Sequence, residues 1–362
     1  MQIHRLPRPE APDAAPHALT HAAVAVEEAA LEAEYGHRDF ADPARARNVH
    51  LFGTRHGHAL LWVALPDGVA PDTCRPEDGI ALASVHVPLQ EDTEKAHVSI
   101  ATHPDHRSRG HARAVLETIR PHLLALGRTT WLSWSFGPGA EATGPDAVVA
   151  RTGSGALDGR LPAHRWLLAE GFTLEQCERP STLRLDAVGH DLADPAAPGA
   201  SDYDLVWWTD RTPAEHVDDI AWLCSRMSTD VPMGELGLDE QVWDAERVRT
   251  GEDRQAAAGL RSVVTAARHV PTGRLTAFTR LTWAEEKPAG VWQEETLVLT
   301  EHRGHGLGMR TKRANLDRLR RVNPDTRRVH TWNAVENRWM LAINDALGFV
   351  PVGLEGAWLK KF

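Results

Sequence analysis

Two stretches of this chain share one layout: a β-like run, a turn rich in His, Arg and Gly, then a helix-like run. One is HVSIATHPDHRSRGHARAVLETI, from His97 to Ile119, and the other is EETLVLTEHRGHGLGMRTKRANLDRL, from Glu294 to Leu319. Their arginines Arg107 and Arg303 stand a full domain's length apart, much farther than the 20–50 residues of a solenoid repeat. A chain of 362 residues also exceeds what one ordinary core accommodates. Between the copies, DAVGHDLADPAAPGASD (Asp186 to Asp202) is rich in Ala, Pro, Gly and Asp and reads as a linker. The expected organisation is therefore two similar domains, 1–188 and 203–362.

Periodicity around each turn gives the same coarse order twice. In the first half Ala18 to Glu34 is expected to be helical, with strands near Val49–Thr54, Ala59–Ala64 and Ile80–Val87 and a further strand entering the turn at Arg107. The helix after it carries Val115, Ile119, Leu123 and Leu126 on one face, with Pro121 expected to kink or shorten it. A strand at Thr130–Phe136 and a short helix at Arg165–Glu170 close this half. The second half reads as strand Tyr203–Trp208, helices Pro213–Met227 and Glu240–Arg249, and strands Ser262–His269, Leu275–Trp283 and Glu295–Leu299. After the turn come a helix to about Arg321, a strand at Val329–Trp332 and a helix at Asn337–Leu347. Strands and helices in this order imply an α/β (α+β) fold with mixed sheets.

Composition narrows the setting. The chain is 42% apolar and 25% charged, without the roughly 20-residue apolar run that spans a bilayer. The N-terminus MQIHRLPRPEAPDAAPH has no apolar signal core. Cys74, Cys177 and Cys224 lie far apart, without disulfide or zinc-knuckle spacing. These features lead to the expectation of a cytoplasmic protein. A net charge of −10 argues against nucleic acid or an anionic membrane as partner. None of the histidines shows zinc-site spacing, so no metal is expected.

The sharpest local feature is Arg303-Gly304-His305-Gly306-Leu307-Gly308, between a strand and a helix. Glycines admit close backbone approach and conformations barred to other residues. A helix starting there aims unpaired N–H groups and its positive dipole end outward, which suits a pyrophosphate, and the arginine adds charge-assisted bonds. The spacing is neither G-x-G-x-x-G nor a phosphate loop ending in G-K-S/T. Read in isolation, the segment also fits a merely tight turn.

The residues match the signature Q/R-x-x-G-x-G/A of GNAT (GCN5-related) N-acetyltransferases. Arg303, Gly306 and Gly308 fill it in the second half; Arg107, Gly110 and Ala112 fill it in the first. The resemblance extends to Gly171-Phe172 and Leu347-Gly348-Phe349 at the end of each half, and the stretch Thr331 to Asn337 with Met340, Ile343 and Asn344 looks like GNAT motif B. The tandem layout is similar to that of mycothiol synthase-like two-domain acetyltransferases. The resemblance implies two GNAT folds in tandem, each a mixed twisted sheet flanked by helices. It implies acetyl-CoA (coenzyme A) as co-substrate, held by Arg303, Gly304, His305, Gly306, Leu307, Gly308 and Met309 around the pyrophosphate. Backbone of Val298 and Leu299 would lie along the pantetheine arm, with Asn333 and Asn337 facing the cofactor. Arg107, Gly110 and Ala112 form a weaker counterpart.

The family's chemistry is direct attack of an amine on the thioester, with a base to take the proton. Alternation along the strand puts Glu294, Thr296 and Val298 on one face. The resemblance implies a general base on the face of Val298 a few positions earlier, which Glu294 fits best; Glu294 or Glu295 as a solvated strand residue is the alternative. In the first half the same place is Val98, flanked by Ala96 and Ile100, so catalysis is expected in the second half and a structural or degenerate role in the first. Many GNATs carry a Tyr that protonates the leaving thiolate; its place here is Asn344, and Tyr35 and Tyr203 lie elsewhere. Of the 13 Trp, Trp207, Trp208, Trp222, Trp243, Trp283, Trp292, Trp332 and Trp339 crowd the second half, as core filling or as the lining of a bulky acceptor pocket. The expected activity is acetyl transfer to a primary amine of a small molecule, in natural-product tailoring or antibiotic self-resistance, by a monomer or homodimer. Acetylation of a peptide N-terminus and non-catalytic acyl-CoA sensing are the alternatives.

Overall fold

The computed structural model describes residues 1–185, 202–230, 236–237 and 239–362. The linker stretch Asp186 to Asp202 falls almost wholly outside the described residues. The chain divides into two compact units, one built mainly of 1–177 and 354–362, the other mainly of 178–233 and 237–353.

In the first unit a seven-stranded sheet runs in the order β1 (Gln2–Arg5), β2 (Gly57–Leu65), β3 (Ala81–Pro88), β4 (Lys95–Thr102), β5 (Thr130–Pro138), β16 (Gly353–Lys361), β8 (Thr173–Glu178). Helix α1 (Ala18–Tyr35) starts where the His17 ring accepts from the Leu19 N–H at 3.1 Å and stops at Gly36, left-handed at φ +74°. Its face of Leu19, Ala22, Ala23 and Val26 packs with Leu61, Val63 and Leu82 of the sheet. The run Val49–Thr54 is not a strand: α2 (Ala44–Phe52) occupies most of it, with Ala46, Arg47, Asn48, Val49 and Leu51 all buried. A short apolar run fits either period, and burial on nearly every side of the helix leaves no single apolar face to declare it. Pro121 stays inside α3 (His111–Ala125), because Glu117, whose carbonyl it leaves unpaired, lies on the exposed side with it.

The second unit repeats the plan in the order β10 (Tyr203–Thr209), β11 (Leu260–His269), β12 (Leu275–Ala284), β13 (Gly290–Val298), β14 (Arg328–Thr331), β9 (Ser181–Arg184), β15 (Val350–Pro351). Strand β13 begins earlier than the sequence pattern suggested. Helices α7 (Leu307–Val322) and α8 (Arg338–Leu347) bury Leu316, Leu319 and Leu347 with Leu281, Val291 and Val329. On the other face α5 (Val217–Asp230) packs Ile220 and Leu223 with Val264, Phe278 and Leu297. The helix placed at Glu240–Arg249 is α6 (Ala245–Ala257), whose start is set by Asp244 accepting from the Arg247 N–H at 2.7 Å.

Two strands cross the expected boundaries. The last strand of the chain, β16, lies between β5 and β8 of the first sheet, and β9, from the end of the first half, lies between β14 and β15 of the second. Strand β9 runs antiparallel to β14, with Arg184 opposite Arg328 and Ser181 opposite Thr331. The units are thus discontinuous in sequence, unlike the contiguous domains 1–188 and 203–362.

Candidate active site

One constant offset superposes the two loops atom for atom in their hydrogen bonding. A 3₁₀ turn, Thr300–His302, leads to Arg303, whose Nε donates to the Val298 carbonyl at 3.3 Å; Pro104–His106 leads to Arg107, whose Nε donates to the Thr102 carbonyl at 3.3 Å. Gly306 and Gly110 cap the following helices at φ +68° and +80°. Gly304 is left-handed at φ +85°, and Ser108 at its counterpart adopts φ +62°, an uncommon conformation for a residue with a side chain. In α7 the first N–H groups have no intrahelical partner. Leu307 is buried in the core and Met309 packs against it, so both offer the loop only their backbone, whereas Arg303, Gly304 and Gly306 are exposed and His305 half-exposed. Gly308 sits so close to α8 that an added Cβ would stand 3.2 Å from Ile343 Cδ1. This cradle, lined by backbone and one guanidinium, fits a pyrophosphate.

The loops differ in the strand that feeds them. Arg107 is tied to Glu34 at 3.2 Å, a carboxyl that burial pushes above its usual range. Strand β4 runs in unbroken register against β3, His97 opposite His86 through Thr102 opposite Ala81. Strand β13 does not: Gln293 pairs with Leu281 but Thr296 with Thr279, one residue too many, so a bulge lies at Glu294–Glu295. The Gln293 amide braces it, Nε2 donating to Thr279 Oγ1 and to the Arg280 carbonyl, both at 2.9 Å. Parallel pairing of β13 with β14 covers only Gly290 to Trp292, so the strands part beyond Trp292. Leu299 donates its N–H to the Thr276 carbonyl at 2.9 Å, toward β12, so the N–H of Val298 is the one turned to the parted edge.

The bulge changes where Glu294 points. Strict alternation would place it with Thr296 and Val298. Instead Gln293 shares the face of Thr279 and Thr296, and Glu294, exposed, accepts from Thr282 Oγ1 at 2.6 Å on the α5 side of the sheet. Glu295 lies 3.8 Å from the Arg280 guanidinium. Beside the parting strands Trp292 and Trp332 stack, ring centres 5.6 Å apart. The tryptophans divide: Trp208 and Trp283 are core, Trp222 and Trp339 exposed.

Asn344 is 1% exposed and both ends of its carboxamide are engaged, Oδ1 by Lys312 Nζ at 2.7 Å and Nδ2 with Asn333 Oδ1 at 2.6 Å. Asn337 caps α8, its Oδ1 accepting from the Met340 N–H at 3.3 Å. In the first unit the counterparts are apolar: Val98 for Glu294 and Leu167 for Asn344, both buried. Sequence reasoning missed Lys312 and Glu178. A lysine at helical spacing from Leu316 and Leu319, on the face of α7 turned to the core, was the available signal for the first. Glu178 gave none; it bridges to Ala334, next to Asn333, and burial with Glu336 nearby pushes its carboxyl up to about 7.

No family model and no curated protein sequence matches the chain. Solved structures do. A tandem GNAT protein from the clavulanic acid biosynthesis pathway is 25% identical, with 99% of this chain and 98% of that one covered at a TM-score of 0.75. A GCN5-related N-acetyltransferase from Sphaerobacter thermophilus shares the fold at 15% identity, TM-score 0.56, over 99% and 95% of the two chains. So does a GCN5-related glucosamine N-acetyltransferase region of a fungal multi-domain β-N-acetylglucosaminidase, at 13% identity and TM-score 0.57, over 99% of this chain and 38% of that one. With two Arg-Gly loops at equivalent helix starts and this likeness over nearly its whole length, the chain has the tandem fold of GNAT N-acetyltransferases.

Proposed function

We propose that the second unit transfers an acetyl group from acetyl-CoA to a primary amine of a small molecule, and that the first unit has a structural role. The observation that carries this is the bulge at Glu294–Glu295, present in β13 and lacking in β4. It turns a carboxylate out of the strand beside the point where β13 and β14 part. Loop residues Arg303 to Met309 would hold the pyrophosphate, and the Val298 N–H would meet the pantetheine arm. The amine nitrogen attacks the thioester carbonyl, a C–N bond forms, Glu294 takes the ammonium proton, and the C–S bond breaks to release thiolate. Trp292, two residues before Glu294, and Trp332 against it suit a cationic amine carried on an apolar or aromatic body. The clavulanic acid relative supports natural-product tailoring or self-resistance as the setting.

Thiol release from acetyl-CoA across a panel of amines tests the reading; background turnover with every amine, despite acetyl-CoA binding, would leave only a sensing role. Glu294→Gln is expected to lower kcat by about 100-fold with little change in KM for acetyl-CoA. An unchanged rate in that variant, with a fall in Glu178→Gln, would move the base to Glu178, whose carboxyl titrates in the range a base needs.

A further inference from the structure

Lys312 is an anomaly in the interior of the second unit. It sits on α7 at 1% exposure, its Nζ 2.7 Å from Asn344 Oδ1 and 5.4 Å from the centre of the Phe349 ring. Burying an ammonium without a carboxylate is costly, and burial pushes this one down to about 7. Among the described residues no charged group faces it from the elements packed on α7. Glu294, Glu295 and Arg280 belong to the opposite face of the sheet, and Asp345 of α8 pairs with Arg179 at 2.5 Å. At the constant offset Lys312 corresponds to Leu116 of the first unit, and Asn344, counted back from the helix-ending glycine, to Leu167; both are buried. An apolar pair serves the same fold, so packing does not call for the lysine.

Its chemistry does set a direction. As an ammonium, lysine donates and cannot accept. Asn344 must therefore turn its carbonyl to Lys312 and its NH2 to Asn333, as the 2.7 and 2.6 Å contacts show. Asn333 in turn spends its carbonyl on Asn344, which leaves its own NH2 as the far end of the chain. Asn333 is half-buried, two residues past the end of β14, on the side where β13 and β14 have parted. We propose that Lys312 is a positioning residue: acting through Asn344, it orients the Asn333 carboxamide so that an N–H faces the gap and receives the negative charge that develops as the thioester is attacked. A charged donor at the base strengthens each bond after it. The proposal rests on acyl transfer at this gap.

Two variants of the full chain test it. Lys312→Met removes the donor at similar volume, and Lys312→Leu with Asn344→Leu rebuilds the pair found in the first unit. The double variant is expected to melt at or above the wild-type temperature, since a buried charge and its partner are replaced by apolar groups. Both should bind acetyl-CoA within about threefold of wild type while kcat falls about 10–100-fold, the scale for losing a donor to a developing oxyanion. Protonated Lys312 is the stronger donor, so wild-type kcat should carry a limb that declines as pH rises through about 7, and that limb should vanish in both variants. Wild-type kcat and an unaltered pH profile in the double variant would overturn the proposal while leaving the acyl-transfer reading intact. Failure of the unmutated chain to bind acetyl-CoA would overturn both.

Discussion

Gly306→Val is expected to abolish acetyl-CoA binding to the second unit, raising Kd by about 100-fold or more. Gly306 caps α7 at φ +68°, where a β-branched residue is strained by about 1–3 kcal/mol. Relieving that strain rotates the peptide groups that begin the helix, and an array of N–H donors converging on a diphosphate loses several of its bonds at once. Because Gly306 is exposed, the loss should appear in calorimetric titration with acetyl-CoA while the melting temperature moves by only a few degrees. Gly110→Val is the matched control. It disturbs a loop whose arginine is already tied to Glu34, and turnover should survive it. Undiminished binding in Gly306→Val would remove the loop from the cofactor site; loss of turnover in Gly110→Val would move the chemistry to the first unit.

Deleting residues 354–362 is expected to prevent the first unit from folding, although these residues are the last in the chain. Strand β16 lies between β5 and β8, and Leu354, Ala357, Trp358 and Leu359 are all buried there. Trp358 is fully buried, with its Nε1 donating to Ser135 Oγ at 2.8 Å, and Trp131 packs on Phe362 with ring centres 4.5 Å apart. Removing the strand opens two unpaired sheet edges and an apolar face. Trp358→Ala is the gentler version and should cost about 3–5 kcal/mol, a large share of the roughly 5–15 kcal/mol that holds a domain folded. Circular dichroism melts and limited proteolysis would read both; a truncated chain that melts like the intact one would show that β16 contributes little. By the same argument a fragment of 203–362 lacks β9 and carries β16 without a sheet to enter, so it should aggregate.

The paired Arg-Gly turns, the strand–turn–helix layout and most element positions were legible from residue order, because they depend on local spacing: α1, β2, β3, α7 and α8 fall where the 3.6- and 2-residue periods put them. So did the left-handed glycines at the helix starts, a requirement of single residues. Three things were not. The helix at Ala44–Phe52 hid in a run too short to declare its period. The exchange of β9 and β16 leaves no mark on periodicity, because an alternating strand satisfies its hydrogen bonds against any neighbour of matching edge and face. And the face of Glu294 was set by a one-residue bulge that breaks the alternation on which a strand's faces are counted. The sequence by itself determined which residues could cradle a phosphate; only the tertiary structure decided which carboxylate stands beside the parted strands and that Lys312 meets Asn344, since both follow from pairing between segments far apart in the chain.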